Sequence, residues 1–344
     1  MSHTFPNFPT DCKSLLCKYL SIEVFEELKD KQTSNGYTLH QAINSGVKNP
    51  DSGIGVYAGD EESYTLFAPL FDPIIKDYHG FEKSDIHKSN FNPDELKTVD
   101  SEQMQEYVVS TRIRVGRNIS DLPLGSAITQ QQRLDVEHKV SQALNNLNGE
   151  LSGRYYPLQG LSDNDRDQLI KDHFLFKQGD RFLEAAGLNR NWPEGRGIFH
   201  NDDKTFLVWI NEEDQLRIIS MQMGGDIKAV FTRLHKAVSE IEKSISFAYS
   251  KHLGYISSCP TNLGTAMRAS VHIKLPKLGD NMELFESIAS KHHLQIRGTS
   301  GEHSQSKGGI YDISNARRLG VSEVQCVQDM YDGVVALIAK ERSL

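Results

Sequence analysis

The sequence predicts an α+β protein in which a small all-helical N-terminal domain precedes a larger domain with an antiparallel β-sheet flanked by helices. Three patterns lead to this fold class. Residues 1–90 carry apolar side chains at helical spacing, with Leu15 and Leu16 on one face. Residues 109–115 instead alternate with period two, which is typical of a half-buried strand. Residues 197–222 contain apolar runs separated by short polar turns, which predicts antiparallel hairpins.

The predicted organisation is a helical domain at residues 1–90, a polar linker at residues 91–103 and a larger domain at residues 104–344. A length of 344 residues is compatible with two domains of ordinary size. Helices and strands do not alternate regularly in the larger region, which argues against a parallel sheet. Apolar periodicity predicts helices at residues 11–30, 129–147, 163–173, 226–246, 282–292 and 322–341, and a further strand at residues 268–274.

Composition excludes several classes of function. The chain has a net charge of −8 and shows no basic face, so nonspecific binding to nucleic acid is not expected. No run of about 18 apolar residues exists, which excludes a membrane-spanning helix of that length. The N-terminal residues contain no basic stretch leading into an apolar one. We therefore expect a cytoplasmic protein with no membrane partner.

The chain contains 4 cysteines, which are too few and too scattered for a disulfide scaffold. Cys12 and Cys17 lie five residues apart on a predicted helix, but no histidine or second cysteine pair completes a zinc site near them. We expect no metal ligands contributed by the protein itself.

Several arginines lie on predicted strands, where a solvated surface charge is not expected. Period-two spacing puts Ser110, Arg112 and Arg114 on one face of their strand. Each arginine could pair with a structural carboxylate, because an unpaired buried charge is costly. Alternatively, the strand arginines together form a binding site for a polyphosphate, whose oxygens match guanidinium groups. The motifs of P-loop, dinucleotide-binding and protein-kinase folds are missing, so phosphate binding would depend on these arginines.

At residues 259–265 the string Cys-Pro-Thr-Asn-Leu-Gly-Thr resembles the signature of the phosphagen kinases, the ATP:guanidino phosphotransferases. The resemblance extends over nearly the whole chain. Further blocks in family order are Ser-Thr-Arg-Ile-Arg (110–114), Asp-His-Phe-Leu-Phe (172–176), Asn-Glu-Glu-Asp (211–214), Arg-Ala-Ser-Val-His (268–272), Arg-Gly-Thr (297–299), Gly-Glu-His (301–303) and Tyr-Asp-Ile-Ser-Asn (311–315).

The resemblance implies two domains that close around two substrates, and reversible transfer of the γ-phosphoryl group of MgATP to a guanidinium. Mg²⁺ is expected to arrive with ATP and to need no protein ligand. The residues implied to bind ATP or ADP are Ser110, Thr111, Arg112, Ile113, Arg114, His173, Arg217, Arg268, Ala269, Ser270, Val271, His272, Arg297, Gly298, Thr299, Ser300, Gly301 and Glu302. Without the resemblance, His173 and His272 would be read as packing residues.

Three residues are implied to act on the guanidinium. Glu213 and Glu302 would hold it in line with the γ-phosphorus, and one of them would take its proton. Cys259 would lie against this cation as a thiolate that orients the substrate and does not attack. Considered alone, Glu213 would belong to a solvated hairpin tip, Glu302 to a surface loop and Cys259 to the core.

The acceptor implied by the resemblance is L-arginine, giving phosphoarginine. The residues Ser52, Gly53, Ile54, Gly55, Val56 and Tyr57, which follow Asp51, resemble the specificity loop of the arginine-specific members. Glycines in this loop would let backbone amides approach an α-carboxylate. Open alternatives are taurocyamine, glycocyamine or creatine as acceptor, a bacterial protein-arginine kinase, or an inactive ATP-binding regulator. Ser300 and Gly59 depart from the usual pattern, and a monomer and a homodimer both remain possible.

Overall fold

The computed structural model describes residues 4–99, 102–176, 178–298 and 308–344. The N-terminal region is helical, as the sequence predicts, and contains no strand of the main sheet. Its helices are α1 (Leu15–Tyr19), α2 (Ile22–Leu28), α3 (Leu39–Lys48), α4 (Ser63–Leu66) and α5 (Ala68–His79).

The predicted continuous helix at residues 11–30 was wrong. The segment forms the two short helices α1 and α2, each with its own serine N-cap. The side chain of Ser14 accepts a hydrogen bond from the amide of Cys17, and that of Ser21 accepts one from Val24. A serine inside a helical pattern can start a new helix because its hydroxyl satisfies the free amides of the first turn.

The rest of the chain mixes helices and strands. Its helices are α6 (Glu102–Tyr107), α7 (Gln130–Asn145), α8 (Asp163–Lys171), α9 (Arg181–Ala185), α10 (Ile227–Glu242), α11 (Pro276–Gly279), α12 (Met282–Lys291) and α13 (Glu323–Ser343). Its strands are β1 (Val108–Arg117), β2 (Arg154–Pro157), β3 (Gly197–His200), β4 (Phe206–Ile210), β5 (Leu216–Met223), β6 (Tyr249–Ser250), β7 (Gly254–Tyr255), β8 (Met267–Lys274), β9 (Leu294–Arg297) and β10 (Ile310–Asn315).

Within the described residues, an 8-stranded antiparallel sheet has the order β2-β3-β4-β5-β1-β8-β10-β9. Helices α10 and α13 cover one face of it, where Ile113, Val115 and Val271 are fully buried. Period-two alternation directs the neighbouring side chains of β1 and β8 to the opposite face, which is only half-buried there. The predicted α+β fold class is therefore confirmed.

The buried residues form separate clusters, and these explain how the N-terminal helices attach to the rest. The sheet and its helices share one core, while Leu16, Phe71 and other residues of α1–α5 share another. This second core also contains Leu188, Ile256 and Cys259 from the later part of the chain. The domain boundaries at residues 90 and 104 stay a prediction. Among the described residues, none of the helices has the length and apolar character required to cross a membrane.

Candidate active site

The open face of the sheet carries a group of neighbouring arginines. In the register, Arg114 of β1 stands opposite Arg268 of β8 on one side and Ile219 of β5 on the other. Arg217 lies on β5 beside Gly116. The guanidinium groups of Arg112 and Arg217 lie 5.4 and 5.3 Å from the ring centre of Trp209. Arg112, Arg114, Arg217 and Arg268 are called the arginine cluster below.

Two members of the arginine cluster have carboxylate partners. Arg217 is 3.0 Å from a carboxylate oxygen of Glu212 and 3.0 Å from one of Glu213. Arg268 is 2.9 Å from Asp312, although its Nε has no hydrogen-bond partner among the described residues. Pairing with structural carboxylates therefore explains part of the cluster.

Arg112 and Arg114 differ from these two. Within the described ranges neither guanidinium has an ion pair, and the buried Nε of Arg112 has no hydrogen-bond partner. Burial, together with the positive charges of Arg217 and Arg268, lowers the pKa of Arg112 to about 10. Burial also lowers the pKa of Arg114 well below its ordinary value, and Arg217 and Arg318 add to this effect. A bound anion would offset the repulsion between these guanidinium groups, so the cluster is suited to a polyphosphate.

The remaining residues predicted to bind ATP divide into three groups. One group is on the same face of the sheet as the arginine cluster: Ser110, Ser270 and His272. A second group is on the opposite face and is fully buried: Thr111, Ile113, Ala269 and Val271. Arg297 ends β9 and stands opposite Asp312 of β10, and Gly298 follows it. Thr299, Ser300, Gly301 and Glu302 lie outside the described residues.

The two histidines lie close enough to influence each other. His272 of β8 has its Nε2 3.9 Å from Asp312. Burial lowers the pKa of His272, and the positive charges of Arg268 and His173 add to this against the attraction of Asp312. His173 follows α8 with a φ of 62°. Both histidines therefore lie near the arginine cluster.

Glu213 is not at a solvated hairpin tip, contrary to what its sequence context alone suggests. Its side chain is only 14% exposed, and Oε1 accepts a hydrogen bond of 3.3 Å from Asn262. Burial raises the pKa of Glu213 to about 7, against the attraction of Arg217 and with added repulsion from Asp214. A carboxylate with such a pKa is suited to accept a proton at neutral pH.

Asp214 is a buried residue that sequence reasoning missed. Its carboxylate accepts hydrogen bonds from Asn118 Nδ2 at 2.8 Å, from Ser257 Oγ at 2.9 Å and from the Ser258 amide at 3.2 Å. A Cβ on Gly116 would lie 2.7 Å from this carboxylate, so glycine is required there for close approach. The position of Asp214 next to Glu213 was the signal in the sequence that could have pointed to it. The residues that donate hydrogen bonds to its carboxylate are distant along the chain.

Cys259 is 7% exposed, with Sγ 3.1 Å from the hydroxyl of Thr261. Burial, with repulsion from Glu213, raises the pKa of Cys259 to about 12. Without a bound guanidinium these surroundings favour the neutral thiol, and the thiolate expected beside the substrate cation stays a prediction.

The specificity loop, residues 51–57, reaches the same region. The amide of Ala58, just after the loop, donates to Ser258 O at 2.8 Å. Burial raises the pKa of Tyr57, and the negative charge of Glu213 adds to this effect. The hydroxyl of Ser52 is buried and has no hydrogen-bond partner among the described residues.

The loop is also attached on its outer side. The guanidinium of Arg181 pairs with the carboxylate of Asp51, with one contact of 2.9 Å. The amide of Gly46 donates to Gly55 O at 3.1 Å. Gly55 has a φ of +79°, and a Cβ there would lie 2.9 Å from Leu16 Cβ.

Comparison with known proteins agrees with this arrangement. Residues 10–76 match the family described as "ATP:guanido phosphotransferase, N-terminal domain", and residues 135–344 match the "ATP:guanido phosphotransferase, C-terminal catalytic domain". The chain is 57% identical to "Arginine kinase Lit v 2" of Penaeus vannamei over 97% of this chain and 94% of that protein.

It is also 58% identical to an arginine kinase of Anthopleura japonica over 96% of this chain, although it spans only 48% of that longer protein. The crystal structure of a lombricine kinase superposes with a TM-score of 0.93 at 40% identity, covering 99% of this chain and 94% of the other. The chain therefore belongs to the ATP:guanido phosphotransferase family.

Proposed function

We propose that this protein is an arginine kinase, which reversibly transfers the γ-phosphoryl group of MgATP to the guanidinium of L-arginine, giving ADP and phosphoarginine. One juxtaposition supports this most strongly. The cationic arginine cluster adjoins the buried carboxylate of Glu213, which is ion-paired with Arg217 at 3.0 Å. Cations for the phosphates and a carboxylate for the guanidinium thus occupy neighbouring positions, the carboxylate in the turn before β5.

The arginine cluster, with Arg297, holds the phosphates of the nucleotide. Arg112 and Arg114 have no ion pair within the described residues, so phosphate oxygens would be their first full partners. Mg²⁺ enters as part of the substrate and neutralises charge on the phosphates. Phosphoryl transfer passes through a loose transition state, so positioning and charge neutralisation supply most of the catalysis.

Glu213 serves as the group that takes the proton from arginine. A guanidinium cannot attack phosphorus while it is a cation, because its nitrogen has no available lone pair. As the new N–P bond forms and the bond between the γ-phosphorus and the bridging oxygen of ADP breaks, the proton moves to a carboxylate. Burial raises the pKa of Glu213 to about 7, which favours this role. Glu302 is the proposed second carboxylate.

Cys259 orients the guanidinium and forms no bond to phosphorus. Its thiol is buried beside Glu213, within reach of a cation held by that carboxylate. A bound guanidinium would favour the thiolate, and this opposes the effect of burial.

The specificity loop selects the amino-acid end of arginine. Tyr57 lies close to Glu213 and Cys259, and the buried hydroxyl of Ser52 has no partner among the described residues. A ligand carboxylate would satisfy this hydroxyl and nearby backbone amides. Acceptors without an α-amino-acid end leave such groups unpaired, at a cost of roughly 1–3 kcal/mol each. The cytoplasmic location and the choice between monomer and homodimer stay predictions.

The test is the initial rate with MgATP and a panel of acceptors: L-arginine, creatine, glycocyamine, taurocyamine and lombricine. We expect the highest kcat/KM with arginine and a poor rate with creatine. A higher value with another acceptor would refute the arginine assignment and leave the family assignment intact. Binding of ATP without turnover of any acceptor would instead favour an inactive regulator.

A further inference from the structure

A cysteine pair that has no part in the proposed chemistry lies beside the specificity loop. Cys12 and Cys17 form a disulfide, with their Cα atoms 6.3 Å apart. The sequence placed both on one helix, but Cys12 precedes α1, and the bridge encloses the first turn of that helix. Both cysteines are half-buried, so a small thiol can reach them, whereas Cys259 and Cys326 are free and buried.

The turn enclosed by the disulfide supports the loop directly. Leu15 and Leu16 are the first residues of α1, so their amides have no acceptor within the helix. They donate instead to Gly53 O and Ile54 O, each at 3.0 Å. The helix N-terminus thus fixes the middle of the specificity loop through two backbone hydrogen bonds.

Packing at the same place is tight. Leu16 is fully buried, and a Cβ on Gly55 would lie 2.9 Å from Leu16 Cβ. Sγ of Cys12 lies 3.4 Å from the carbonyl oxygen of Pro50, just before the loop. Any displacement of the first turn of α1 is therefore transmitted to the loop.

Helix α1 has only 5 residues, and so short a helix has little stability of its own. The Ser14 side chain caps it by accepting a hydrogen bond from the Cys17 amide at 3.2 Å. A disulfide across this turn restricts the conformations open to it when it frays. With the bridge open, the turn would fray more often, and the amides of Leu15 and Leu16 would leave the loop.

We propose that the Cys12–Cys17 bridge is a redox-sensitive positioning element for the specificity loop. The closed bridge holds the loop ready for arginine, and the open bridge weakens arginine binding without affecting the nucleotide. This inference rests on the proposed function, since it assigns the loop to the amino-acid end of arginine.

The reaction is ordinary thiol–disulfide exchange. One thiolate of a reducing dithiol attacks a sulfur of the bridge, the S–S bond breaks, and the other cysteine leaves as a thiolate that takes up a proton. The second thiol of the reductant then displaces the first cysteine and closes its own disulfide. Glutathione disulfide reverses the process and is itself reduced to two thiols.

The experiment compares the full-length protein after treatment with glutathione disulfide and after treatment with dithiothreitol. Alkylation in denaturant verifies each state, with two reactive cysteines when the bridge is closed and 4 when it is open, because the chain contains 4 cysteines. We expect reduction to raise KM for arginine about three- to tenfold, the factor expected for one or two weakened hydrogen bonds. The KM for ATP and kcat should change little.

The double variant Cys12→Ser/Cys17→Ser is the matched control. It should have the arginine KM of the reduced protein and show no response to either reagent. An equal arginine KM in both verified states of the unaltered protein would overturn the proposal, as would failure of the bridge to close with glutathione disulfide. If the oxidised protein phosphorylates no arginine at all, the proposed function fails instead.

Discussion

The carboxylate of Asp214 accepts a hydrogen bond from the backbone amide of Ser258, 3.2 Å away, and this contact joins two functional segments. Asp214 follows Glu213, and Ser258 precedes Cys259. The same carboxylate accepts a hydrogen bond from Asn118, the residue that follows β1. One buried group therefore sets the distance between the acidic turn, the Cys259 segment and the strand that carries Arg112 and Arg114.

Replacement of Asp214 by asparagine should lower both stability and turnover. Asparagine keeps the shape, but its NH₂ group faces donors from Asn118, Ser257 or Ser258, so at least one hydrogen bond is lost. We expect a loss of about 1–3 kcal/mol in the free energy of unfolding, the usual cost of an unsatisfied buried group. Urea titration and kcat measure the two effects. The control is Asp203→Asn on the exposed turn after β3. Unchanged stability and turnover in Asp214→Asn would contradict the role.

Replacement of Arg114 by alanine should separate function from stability. The pKa of Arg114 is lowered because burial and neighbouring cations disfavour its charge in the folded state. Removal of that charge should leave Tm unchanged or raise it. ATP binding should weaken, and kcat should fall about 10²-fold or more, as for loss of a transition-state charge contact. Calorimetry with ADP and steady-state rates check both.

The matched control is Arg154→Ala, since Arg154 is an exposed strand arginine on β2, at the far edge of the sheet. It should bind ATP as the unaltered protein does. Arg217→Ala and Arg297→Ala should also lose ATP affinity and turnover. Normal kinetics in Arg114→Ala, Arg217→Ala and Arg297→Ala would refute the phosphate-binding role of these arginines.

The pH dependence of turnover should report the ionisation of Glu213. Its pKa is raised to about 7, chiefly by burial, and only the deprotonated carboxylate can accept the proton of the guanidinium. The rate should therefore decrease as the pH falls through about 7. Glu213→Gln should reduce kcat strongly and remove this acidic limb while the fold persists. An acidic limb that survives in Glu213→Gln would assign it to another group.

Cys259 should prove helpful but not essential. We expect Cys259→Ala to retain measurable activity, because an orienting thiol does not form a bond to phosphorus. The high pKa of about 12 also predicts slow alkylation by iodoacetamide near neutral pH. Mass spectrometry after rapid quenching tests for a phosphorylated intermediate. Detection of phosphocysteine at residue 259 would contradict the orienting role.

The two substrates should draw the helical region and the sheet region together. The pair formed by Asp51 and Arg181 links the loop to α9 and is exposed, so it can form and break readily. Small-angle scattering should show a smaller radius of gyration with MgADP, nitrate and arginine together than with MgADP alone. Asp51→Asn should reduce this compaction. An unchanged radius in the unaltered protein would argue against closure.

Short-range patterns in the sequence determined much of the fold. The alternation at residues 109–115 predicted β1 and the common face of Arg112 and Arg114, because side chains of a strand point alternately to its two faces. The polar turns at residues 197–222 predicted the hairpins of β3, β4 and β5, which the structure confirms. The helices at residues 129–147 and 322–341 were confirmed within a few residues, since Thr129 and Ser322 cap them.

Other properties depended on contacts between residues that are distant along the chain. The acidic string at residues 212–214 gives no indication that Asp214 is buried, since its partners come from Asn118 and from the segment before Cys259. The ionisation of Cys259 likewise follows from burial next to Glu213, which only folding brings about. Local sequence determines which backbone conformations are favourable, whereas the environment of a side chain is decided by the tertiary structure that surrounds it.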